Sequence, residues 1–70
     1  MSVSYNRLWK LLIDKNMKKT DLIKACHISS NILAKMGKNE YISLESLDKI
    51  CKYLQCNIED IIEMDVKKNE

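Results

Sequence analysis

Residues 21–37, DLIKACHISSNILAKMG, carry two apolar patterns of helical spacing separated by a short break. Leu22, Ile23 and Cys26 form the first and Ile32, Leu33 and Met36 the second, each trio lying on one face of a helix. Between them stand His27, Ile28 and two serines, either of which is a good N-cap for the second helix because its hydroxyl can accept a hydrogen bond from an otherwise unpaired backbone N–H. Gly37 is placed to end that helix. The prediction is helix, tight turn, short helix.

Working outward, residues 4–15 place Leu8, Leu11 and Leu12, with the neighbouring Trp9, at helical spacing, leaving Arg7, Lys10 and Asp14 towards water. Asn16 closes that helix, since asparagine tolerates the left-handed conformation that ends many helices, and Met17 supplies an apolar plug. Lys18-Lys19-Thr20-Asp21 opens the next helix. Downstream, the loop 38–42 leads to Ser43, an N-cap for a fourth helix on which Leu44, Leu47, Ile50, Cys51 and Leu54 repeat. Asn57 with Asp60 marks the start of a fifth, containing Ile58, Ile61 and Ile62. Proline is absent and there is a single glycine, so a turn-rich β fold is disfavoured. The expectation is an all-α, compact five-helix domain over residues 1–64, with a charged tail, 65–70, that frays.

Seventy residues leave room for one domain, and 46% hydrophobic with 31% charged residues is the mixture of a chain that folds. No apolar run approaches the ~18 residues of a membrane span. The first ten residues, MSVSYNRLWK, lack the apolar core of a signal peptide, and a cytoplasmic location is expected. Three cysteines cannot all pair with one another, so disulfides are not expected to hold the fold. The net charge of +2 is unevenly spread: residues 1–40 hold eight cations against three anions, and residues 41–70 hold four against seven. An anionic partner for the first part follows.

Two short helices and a three- or four-residue turn, inside a small helical domain with a basic first part, describe a helix-turn-helix. In LWKLLIDKNMKKTDLIKACHISSNILAKMGKNE, followed by SLESLDKICKYLQCNIEDII, the chain resembles the Cro and phage-repressor type of DNA-binding domain over about residues 5–62. The resemblance implies a lambda-repressor-like fold, a transcriptional regulator, and a third helix, about residues 29–37, that reads the major groove of double-stranded DNA. It puts Ser30, Asn31 and Lys35 at the base edges, with Ser29 or Ala34 at the margin. Asn31 can bond adenine bidentately, and Lys35 suits the guanine acceptors. Lys18, Lys19 and Thr20, at the start of the second helix, and Lys38 and Asn39, after the third, are expected on phosphates. A homodimer on two half-sites is expected, with Ile61, Ile62, Met64 and Val66 as candidate contacts.

Two departures from the family pattern stand out. His27 occupies the turn position where many members have glycine, a position of positive φ that histidine tolerates better than most residues. Leu12 and Gly37 stand where many members pair an arginine with a glutamate, and the third helix is accordingly expected to end about a residue earlier. Against the DNA reading stand a metal or redox site built from Cys26, His27, Cys51 and Cys56, an enzyme, and a protein-interaction module such as an antitoxin or anti-repressor. The first is disfavoured because no C-x-x-C pair exists and the cysteines fall on apolar positions. His27 has no carboxylate or serine partner that the helix pattern would bring near, and Ser29, two residues on, is more simply a cap than a nucleophile, so no catalytic residue, metal, cofactor or small-molecule ligand is expected.

Overall fold

The computed structural model describes residues 2–65. In chain order the elements are β1 (Ser2–Ser4), α1 (Asn6–Asp14), α2 (Asp21–Cys26), α3 (Ser30–Gly37), α4 (Leu44–Leu54), a 3-10 turn (Ile58–Asp60) and β2 (Glu63–Asp65). The domain is mostly helical, but the all-α, five-helix expectation is corrected on two points: the described residues contain four α-helices, the expected fifth being a single 3-10 turn, and they also form a small two-stranded sheet. The Asp60 carboxylate accepts the Asn57 N–H at 3.0 Å, as the Asn57/Asp60 signature requires. The chain leaves the helical conformation at Ile61 because the next residues extend to form a strand. That strand pairs antiparallel with β1, Val3 opposite Met64, closing the two ends of the domain on each other.

Each helix contributes one apolar stripe to a common core. Leu8, Leu12, Leu22, Met36, Ile50 and Ile61 are fully or almost fully buried, with Val3, Cys26, Ile28, Leu47 and Leu54 around them. Removing this much apolar surface from water is the main stabilising term, at ~1.5–3 kcal/mol for each large side chain. α2 packs on α4, and the 3-10 turn folds back on α4. Tyr5, just before α1, is 1% exposed, and its hydroxyl donates to the Glu40 carbonyl at 2.6 Å, pinning the loop after α3 to the start of α1. Leu44 is the exception to its predicted stripe: as the first residue of α4 it faces outward, 74% exposed.

The helix ends follow one rule. Asn16, His27, Asn39 and Gln55, one after each α-helix, adopt positive φ of 56–58°. After α1, the Met17 N–H reaches the Leu12 carbonyl and the Asn16 N–H the Ile13 carbonyl; after α3, Glu40 reaches Lys35 and Asn39 reaches Met36. Both are Schellman closures, which satisfy the last carbonyls of a helix. Gly37 is the last residue of α3, where the helix was expected to end, but it ends it without a left-handed conformation: Lys38 is the C-cap and Asn39 carries the positive φ. Asn39 turns the chain instead, because the Glu40 backbone must both reach Lys35 and accept from Tyr5.

A Cβ added at Gly37 meets nothing within 4 Å, and the residue is helical. Gly37→Ala is therefore expected to raise stability by about 0.5–1 kcal/mol, read as a higher urea midpoint at unchanged slope. A lower midpoint would contradict this description of the end of α3.

Candidate nucleic-acid interface

The geometry of α2 and α3 is set by three residues. His27 is left-handed (φ 57°, ψ 41°) and reverses the chain out of α2. Ile28, 4% exposed, drops into the core and fixes the corner. Ser29 is extended (φ −85°, ψ 162°), and its hydroxyl accepts the Ile32 N–H at 3.2 Å. Of the two serines, Ser29 is thus the cap. Its side chain is committed to the backbone, which leaves Ser30 as the first helical residue.

Within α3, Met36 is fully buried while Ile32 and Leu33 are half-buried. Ser30, Asn31, Ala34 and Lys35 are all exposed. These four occupy two adjacent i, i+4 rows, so they form one continuous polar strip on the helix. The strip holds a hydroxyl, a carboxamide and an ammonium, and no carboxylate. It can donate to and accept from planar edges and repels no anion.

The flanking segments are exposed too. Lys18, Lys19 and Thr20 precede α2, and Lys38 and Asn39 follow α3. At the start of α2 the Asp21 carboxylate already takes the Lys18 N–H at 2.8 Å, and Thr20 makes no side-chain cap. The backbone amide of Lys18 is thus taken by the protein's own anion, while the Lys18 and Lys19 side chains remain on the surface. Lys19 is not free: its Nζ lies 4.4 Å from the centre of the Trp9 ring, a cation–π contact that links the segment to α1. Asn39 carries the left-handed turn as well as being exposed.

Other residues singled out from the sequence are distributed differently. Ile61 is fully buried in the core and Ile62 half-buried, whereas Met64 is 43% exposed; Val66 lies outside the described residues. Arg7 points to the other end of the chain, donating to the Glu59 carbonyl at 2.9 Å and lying 3.8 Å from a Glu63 carboxylate oxygen. Cys26 is buried and His27 exposed. No group of three or more histidine, cysteine or acidic residues that could hold a metal occurs among the described residues. Cys51 and Cys56 lie beside each other at the end of α4. Burial first, and then the neighbouring Cys56 thiol, push the Cys51 thiol up to about 11. The pair is therefore almost wholly in the thiol form at neutral pH, and its simplest role is apolar packing.

The sequence model of the Cro/C1-type helix-turn-helix DNA-binding domain matches residues 7–67. The chain belongs to the Cro/C1-type family. Among solved structures, this Cro/C1-type domain is similar to that of the transcriptional regulator VanUg: 56% identical, TM-score 0.86, over 89% of this chain and 83% of that one. No match to a curated protein was found. Among the described residues no helix is long and apolar enough to cross a membrane.

The left-handed turn gives a direct test. His27→Gly is expected to change stability by less than about 1 kcal/mol, because relief of left-handed strain is offset by the freedom of glycine in the unfolded chain. His27→Val, β-branched at positive φ, is expected to lose about 1–2 kcal/mol. Urea unfolding checks both, and a valine variant as stable as the parent would contradict the conformation described at residue 27.

Proposed function

We propose that this Cro/C1-type domain is a transcriptional regulator that binds duplex DNA sequence-specifically, with α3 in the major groove. The observation that carries the reading is the exposed strip of Ser30, Asn31, Ala34 and Lys35, free of carboxylates, at the amino-terminal end and along one side of α3. A helix fits the major groove, and the residues of its first turns reach the base edges. Asn31 pairs with adenine, Lys35 with the acceptors of guanine, and Ser30 accepts either partner. The description of VanUg as a transcriptional regulator supports the same role.

Lys18, Lys19 and Thr20 on one side, and Lys38 and Asn39 on the other, hold phosphates and so fix the register of α3. One such module reads few base pairs, so useful specificity comes from a homodimer spanning half-sites ~34 Å apart. Met64 is the exposed apolar contact available near the paired termini, with Ile62 beside it and Val66 beyond the described residues. Ile61 serves the core instead. Such a protein works where the DNA is, in the cytoplasm.

A protein-interaction role on the same fold, that of an antitoxin or anti-repressor, is the second reading. It draws on the acidic second half and on Leu44 and Ile58, two exposed apolar side chains lining one groove. Salt separates the two. Duplex affinity is expected to fall by ~0.9 log units per log unit of salt for each phosphate neutralised. Asn31→Ala should cost ~1–3 kcal/mol on a preferred site, with relaxed choice at one base position, while Lys18→Ala weakens all duplexes alike. Titrations of selected and random duplexes over a salt series measure both; no salt-sensitive binding at low salt would favour the protein-partner reading.

A further inference from the structure

The two segments proposed to hold phosphates, 18–20 and 38–39, lie on either side of α3 in the chain, yet each is tied, directly or through the next residue, to one of two aromatic residues that touch each other. Trp9 on α1 takes the Lys19 ammonium over its ring at 4.4 Å. The Tyr5 and Trp9 rings meet at 6.4 Å between centres, tilted by 49°. The Tyr5 hydroxyl donates at 2.6 Å to the carbonyl of Glu40, the residue after Lys38 and Asn39. Tyr5 is buried and cannot shift without disturbing the core, whereas Trp9 is half-buried and packs against the edge of that core.

We propose that Tyr5 and Trp9 are positioning residues for DNA binding, Trp9 holding the Lys19 ammonium and Tyr5 holding the 38–40 loop so that the two backbone contacts are pre-set across α3. The inference rests on the DNA reading above. A ring face suits this task better than a carboxylate would. It attracts the ammonium through its quadrupole but leaves the full positive charge, and donors on the far side of the nitrogen, for a phosphate oxygen. No carboxylate lies within ion-pair distance of Lys19 among the described residues. A lysine already held in place loses less side-chain freedom on binding, so the contact raises affinity without itself touching DNA. The link from Tyr5 to Glu40 acts likewise on the second arm, by restricting a loop rather than a side chain.

The test is a double-mutant cycle on the full chain, using a duplex that the parent protein binds, at a temperature where circular dichroism shows each variant folded. Trp9→Leu should weaken binding about two- to fivefold, the size of an exposed cation–π contact. The same change in a Lys19→Ala background should have almost no effect, and Trp9→Phe should recover much of the loss. Tyr5→Phe, which keeps the ring and removes the hydroxyl, should weaken binding in the parent and much less beside Lys38→Ala. Equal losses from Trp9→Leu with and without Lys19 would overturn the positioning role while leaving the DNA reading intact. Failure of the parent to bind any duplex in a salt-sensitive way would overturn both. If Trp9→Leu does not fold, proton NMR of the parent decides the Trp9 arm: ring-current upfield shifts of the Lys19 side-chain methylenes are expected, and random-coil positions would overturn it.

Discussion

At His27 the chain turns left-handed, buries Ile28 in the next step and caps a new helix with Ser29 in the one after. Those three residues determine which side of α3 meets the core and which meets solvent. With Met36 fixed inward, Ser30, Asn31 and Lys35 have only the outer face to occupy. A different backbone angle at residue 27 would rotate that face relative to α2 and to the lysines that precede it. The constraint is a backbone one, and it explains why a histidine beside a cysteine here does architectural work. Cys26 closes the inner face of α2, and His27 makes the bend.

The same device recurs at each helix end. Four non-glycine residues in the left-handed region carry strain of ~1 kcal/mol or so apiece, less for asparagine, whose short polar side chain suits that conformation. Schellman hydrogen bonds and burial of the following apolar residue, Ile28 after His27, offset that strain. Electrostatics are divided in parallel fashion. Arg7 is drawn to Glu59 and Glu63 and belongs to the closure of the termini, so the positive surface around α3 is made by lysines. The exposed Lys52 and Asp48 pair at 3.1 Å on α4 adds little, as solvent-screened i, i+4 pairs do.

Much of this was legible in the sequence because it is local. The periodicity of residues 21–37, a serine cap at 29 or 30, the Ser43 cap, the Asn16 stop and the left-handed His27 each follow from residue type and spacing, and each is present, with the structure choosing Ser29 of the two serines. What escaped is non-local or too short to leave a pattern. Ser2–Ser4 and Glu63–Asp65 are three-residue strands without a β-branched run, and they exist because the two termini meet. Tyr5 gives no sign in sequence that its hydroxyl will find Glu40, thirty-five residues away. Gly37 drew attention as the lone glycine, yet the turn needed two more residues to bring Glu40 back to Lys35, and Asn39 made it. The exposure of the proposed base-reading residues was legible from periodicity, but the hold of Trp9 on Lys19 depends on how α1 lies beside the start of α2.

The outer face of α3, rather than the α4 and carboxy-terminal surface, is the one proposed to meet DNA. Backbone amide chemical shifts of labelled protein, followed by NMR during titration with a bound duplex, test it most directly. The account predicts the largest changes at residues 29–35, with smaller ones at 18–20 and 38–39. Changes concentrated on α4 around Leu44 and on residues 58–64, with α3 unmoved, would contradict it.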